Sequence, residues 1–220
     1  MTRRISFTFR IKSLFVAILL LSFLFTALGI RIRESLNQQS ALEYFSSHNI
    51  DLELEDYPDI ANAVRPLPWR SWRLLENSLG IHEMYSKRIS GLKCNPGSSE
   101  TSPKEIDWKQ LERLPYLQMI IMPENCGFDE STALAISRCS YLNVLVIEGP
   151  EVTDDSVSLI LSNSKQITDL KLSDTSVSDK SIQSFLEYKG LRTLEIIESK
   201  ITPDGAARLQ KELPHCDVFY

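Results

Sequence analysis

Residues 13–30 hold no charged side chain and residues 1–33 no acidic one, which sets the N-terminus apart from the rest of the 220-residue chain. At about 1.5 Å rise per residue, a helix from Ile11 to Ile32 crosses the roughly 30 Å hydrocarbon core of a bilayer. No clean small-x-small cleavage site follows the run; FTALGIRIRE is the nearest candidate. The run also exceeds the roughly 7 to 15 apolar residues of a secretory signal. These absences favour an uncleaved transmembrane helix over 13–32, although a basic N-terminus before an apolar core also suits a signal peptide. Arg3, Arg4, Arg10 and Lys12 precede the span and Arg31 and Arg33 follow it. The excess before the span predicts a cytoplasmic tip, residues 1–12, and an extracytoplasmic remainder.

After residue 33 the missing feature is a basic excess. From Glu34 onward there are 18 Lys and Arg against 29 Asp and Glu, a net charge of −11. A nucleic-acid binder needs a basic stripe, so that class is excluded. The cysteines, Cys94, Cys126, Cys139 and Cys216, form no CxxC or Cys/His ligand spacing, and no metal or cofactor is expected. Their even number permits disulfides in an oxidising compartment. His48, His82 and His215 are scattered and none joins a recognisable nucleophilic motif, so no catalytic residue is expected.

Residues 34–47 carry Leu36, Leu42, Tyr44 and Phe45 at helical spacing, predicting a helix that continues out of the membrane. Ile50, Leu52 and Leu54 alternate with acids and read as a short strand. Within 64–80, Trp69, Trp72, Leu75 and Leu79 make an amphipathic helix with Gly80 as its C-cap. Its tryptophans suit either a small core or the bilayer interface. The stretch NPGSSETSPK, 95–104, is a loop. Residues 33–88 are thus expected to form a small α/β capping segment and 89–220 a repeat domain.

Four segments open with apolar-x-x-apolar-x-apolar, beginning at Leu117, Leu142, Ile167 and Leu191, spaced 25, 25 and 24 residues apart. A period in this range is a solenoid signature. The last two apolar residues of each opening are inward strand positions, and Val152, Val177 and Ile201 precede a helical stretch with Val157 and Leu161, or Ile182 and Leu186. One strand and one helix cannot bury both apolar faces alone, but stacked turns can, with a parallel sheet on one side and helices on the other. Gly127 departs from the pattern in the first turn and Gln210 in the last. Ile89, Leu92 and Cys94, followed by Ile106, Trp108, Leu111 and Leu114, predict an N-terminal cap. Cys216, Val218 and Tyr220 predict a closing strand.

The pattern LxxLxLxxTxVxDxxIxxxL resembles the leucine-rich repeat, in the cysteine-containing subtype with a Thr-x-Val-Ser/Thr-Asp turn before the helix. With its basic tip, single span, Trp-containing segment and closing LPHC, the chain is similar to short membrane-anchored leucine-rich-repeat proteins of bacteria. The resemblance implies an α/β solenoid behind one transmembrane helix, and protein–protein interaction in place of a reaction. It also puts Cys139 where the subtype has its cysteine, a small buried hydrophobe. A Cys126–Cys139 bridge would span a helix of about 9 residues and ~13 Å, beyond reach.

Thr153, Asp154 and Asp155 recur as Ser178 and Asp179, then as Thr202, Pro203 and Asp204. Calcium wants roughly six to eight converging oxygens, and this column offers about one carboxylate per turn. Helix capping explains it better: Ser or Thr accepts from a free backbone N–H, first-turn acids favour the dipole, and Pro203 suits the first helical position. The candidate binding residues are instead the outward strand positions Met119, Ile121, Val144, Val146, Asp169, Lys171, Thr193 and Glu195. They are apolar in the first two turns and mostly charged in the last two. An exposed apolar patch with a polar rim suits a protein or envelope partner. Two alternatives stand beside it: residues 34–88 fold back over the patch, or the domain is an envelope scaffold without a dedicated ligand.

Overall fold

The computed structural model describes residues 11–48, 50–56, 87–95 and 106–220. The expected helix over 64–80, with Trp69 and Trp72, lies outside the described residues, as does 96–104 of the expected loop. Helix α1 runs unbroken over Ile11–Ser46, 36 residues. At about 1.5 Å per residue that is roughly 54 Å, well beyond a bilayer core. Its apolar part is exposed, with Phe15 at 66% and Phe23 at 72%, and it is long and apolar enough to cross a membrane. Its last turns change character. Ala41 and Phe45 are fully buried, Phe45 stands 6.1 Å from Trp108 ring to ring, and the Tyr44 hydroxyl accepts the Asp107 N–H at 2.6 Å.

The rest is an α/β unit built on a mostly parallel seven-stranded sheet: β1 Ile50–Asp56, β2 Lys87–Cys94, β3 Met119–Met122, β4 Val144–Glu148, β5 Asp169–Ser173, β6 Thr193–Ile197 and β7 Asp217–Phe219. Spatial order follows sequence order. β1 pairs antiparallel with β2, and each later pair is parallel. The period sets the register: Met119 meets Val144, Val144 meets Asp169, and Asp169 meets Thr193. Helices α2 Glu130–Ser137, α3 Asp154–Asn163, α4 Ile182–Glu187 and α5 Pro203–Glu212 alternate with the strands. A 3-10 helix, Trp108–Arg113, takes the helical place between β2 and β3.

One continuous core runs the length of the stack, from Phe45, Leu92 and Trp108 through Leu145 and Leu172 to Leu194 and Leu209. Every second strand residue enters it, the period-2 pleat of a sheet covered on one side. Four details differ from the expected pattern. Gly127 has φ +70° and is flanked by buried Cys126 and Phe128, so two side chains fill the space of one. In α4 Phe185 is fully buried and Leu186 only half, because a 3-10 turn, Asp179–Ser181, opens that helix and rotates its inward face. The last turn is one residue shorter, so Leu209 fills the inward slot and Gln210 is exposed. Val218 is buried in β7, but Tyr220 lies past the strand end and is 62% exposed.

Candidate functional site

The outward strand positions form two in-register rows. From β2 to β7 the first reads Gly91, Met119, Val144, Asp169, Thr193, Asp217, and the second Lys93, Ile121, Val146, Lys171, Glu195, Phe219. Neighbours along a row are about 4.8 Å apart. All eight residues expected on this face are therefore brought together, and all are half-buried. The described part of 34–88 does not lie over them: β1 extends the sheet at its edge, and the end of α1 joins the core beside Trp108.

The two halves of the face differ electrically. Met119, Ile121, Val144 and Val146 make a contiguous apolar area. Beyond it, Lys171 Nζ donates to Glu195 Oε1 at 2.9 Å, and the Thr168 hydroxyl donates to Asp169 Oδ2 at 2.6 Å. Sequence reasoning left out Lys93, Asp217 and Phe219, and a third row of Glu148, Ser173 and Ile197. The signal was available, since the same alternation extended by one turn at each end, and by two residues along each strand, reaches all six.

The acidic column turns out to link the turns. Thr153 accepts the Ser156 N–H at 3.4 Å, and Ser156 Oγ accepts the Thr153 N–H at 3.0 Å, a reciprocal capping box. Asp154 reaches the next turn: its Oδ1 accepts the Ser178 N–H at 2.8 Å and the Ser181 hydroxyl at 2.5 Å, and its Oδ2 the Ser178 hydroxyl at 2.7 Å. One turn on, Asp179 accepts the Thr202 N–H at 2.8 Å and hydroxyl at 2.9 Å. Thr202 in turn caps α5 through the Gly205 N–H at 3.1 Å. Gly205 leaves room for this link, since a Cβ there would lie 2.5 Å from Asp179 Oδ1. Burial pushes the Asp154 carboxyl up, but bonds from Ser181 and Ser178 and the charge of Lys180 outweigh it and hold the group below the usual range. Asp129 is also held low, burial being outweighed by bonds from Thr132 and Ser131.

Cys94 and Cys126 form a disulfide, with Cα atoms 6.3 Å apart. This pairing was not foreseen, although it follows from the stack: Cys94 ends β2, and Cys126 lies just past the neighbouring β3. Cys139 is free and buried, and its thiol donates to the Ala135 carbonyl at 3.6 Å. Burial, with a lesser contribution from Glu112, pushes that thiol up to about 12, so it is inert at neutral pH.

No family model matches the chain, and no curated protein matches it. Among solved structures it is similar to leiomodin-1 actin-binding site 2, at 14% identity and a TM-score of 0.42, over 54% of this chain and 80% of that one. It is also similar to a chain of the Rad7 and Elc1 complex in yeast, at 14% identity and a TM-score of 0.49, over 97% of this chain and 52% of the other.

Proposed function

We propose that this chain is a membrane-anchored, non-enzymatic binding module: a leucine-rich-repeat solenoid that holds another protein or envelope component on its strand face. The observation that carries this reading is the pair of in-register rows, which place a contiguous apolar area beside charged residues on the side away from the core. Strand pairing at offsets of 25, 25 and 24 residues supports the solenoid. The apolar half of α1 supports the anchor. The Cys94–Cys126 bridge supports an extracytoplasmic domain, because disulfides persist in oxidising compartments. A scaffold without a ligand is the second reading, favoured by the unbroken α1 that joins anchor to core.

The test is the double substitution Val144→Asp and Val146→Asp in the full chain. Asp at 144 faces Asp169 across the ladder and Asp at 146 faces Lys171, so the net cost to folding is about 1 kcal/mol or less. Circular dichroism should show an intact fold, while recovery of a crosslinked partner from native membranes should fall at least tenfold. Unchanged recovery would favour the scaffold, and loss of the fold would make the patch internal core.

A further inference from the structure

We propose, resting on the binding role argued above, that the ligand is a cationic polypeptide segment. It crosses the strands with apolar residues over β3 and β4 and Lys or Arg over β5 to β7. The charge pattern carries this. The described outward positions hold two lysines, Lys93 and Lys171, against five carboxylates, Asp51, Glu148, Asp169, Glu195 and Asp217. Lys171 is neutralised by Glu195. Asp51 lies at the far edge, where the Asn95 amide donates to it. Glu148, Asp169 and Asp217 are left without a cation partner among the described residues, all beside or beyond the apolar area.

Asp169 and Asp217 share a row two strands apart, about 10 Å at 4.8 Å per strand. An extended chain advances about 3.3 Å per residue, so basic residues three apart reach both. Crossing from β3 to β7, four strand spacings, takes about six residues. Other occupants fit worse. A second copy placed face to face sets carboxylates against carboxylates in one orientation and valines against carboxylates in the other. An anionic lipid surface or a nucleic acid is repelled by the same three groups.

The test uses the full chain in the membranes of the cells that make it, with p-benzoylphenylalanine at Val144 or Thr193 and, as a control, at Lys180. After irradiation, the crosslinked peptides are read by mass spectrometry. Both face positions should capture one polypeptide segment, apolar where Val144 holds it and rich in Lys and Arg where Thr193 does. Capture should weaken as salt rises from 50 to 500 mM. It should fall roughly tenfold in the Asp169→Asn, Asp217→Asn variant, two exposed charge pairs' worth. Capture of an acidic or uncharged segment, of lipid, of a second copy, or with no salt dependence overturns the cationic ligand and leaves the face as a binding surface. Capture at neither face position above the Lys180 control overturns both.

Discussion

Between β2 and β3 the turns are joined by a covalent bond, Cys94 to Cys126, whereas α3, α4 and α5 are joined by aspartates, Asp154 to Ser178 and Ser181, then Asp179 to Thr202. The difference follows from what each turn has at its corner. An aspartate link needs a helix whose first turn abuts the next helix start. Between β2 and β3 there is only the short 3-10 helix, and its Asp107 is occupied in capping, accepting the Lys109 N–H at 3.2 Å. A disulfide makes no demand on helix geometry and fastens the irregular turn to the first regular one. The two ends of the stack therefore have different chemical weak points, reductant at one and acid at the other.

Removing the covalent link has the largest expected effect. The bridge closes a loop of 32 residues, which on chain entropy corresponds to roughly 3 to 4 kcal/mol. The Cys94→Ser, Cys126→Ser variant should lose about that much in urea unfolding. In hydrogen exchange the loss of protection should concentrate in β1, β2 and the end of α1. Equal loss across β5 to β7 would mean that the stack opens as one unit and that the two ends are not separable.

The aspartate link is weaker and titrates. Asp154 is held below its ordinary value, so its contribution is present above the unfolded carboxylate range and is lost as pH falls through the lower folded value. Asp154→Asn should cost about 1 to 2 kcal/mol at pH 7. Its deficit relative to the parent should shrink below about pH 4, where the parent begins to lose the same interaction. The cysteine variant should show no such convergence. A constant deficit from pH 7 to 2.5, measured by thermal unfolding, would remove the carboxylate from the account.

The regular turns were legible in the sequence because period, strand alternation and capping residues agree there: Leu170, Leu172, Val177 and Ile182 all fall where a 25-residue repeat puts them. The irregular places were less legible, because neighbours in space override local pattern. Cys126 and Phe128 bracket a glycine, Phe185 displaces Leu186, and a turn shortened by one residue moves the inward slot from 210 to 209. The Cys94–Cys126 pair is a contact between turns and needs the register as well as the residues. On the candidate face the alternation named the eight central positions. The end strands went unread because β2 and β7 lack the full repeat motif.

The smallest expected effect separates stability from recognition within a single strand pair. β5 and β6 are tied on the outer face by Lys171 and Glu195, whose side chains are 38% and 26% exposed. The turns carrying the same strands are tied at their helical corner by Asp179 and Thr202. An exposed ion pair contributes about 0.2 to 1 kcal/mol and is screened by salt, so Glu195→Gln should change stability by about 0.5 kcal/mol or less. It should nonetheless free the Lys171 ammonium on the face. If the ligand is cationic, that freed charge opposes it, and capture at Thr193 should fall more than stability does. Loss of a carboxylate from a face whose ligand is neutral would leave capture unchanged. Thr202→Ala should do the reverse, costing about 1 kcal/mol through a lost cap while leaving capture at the face intact.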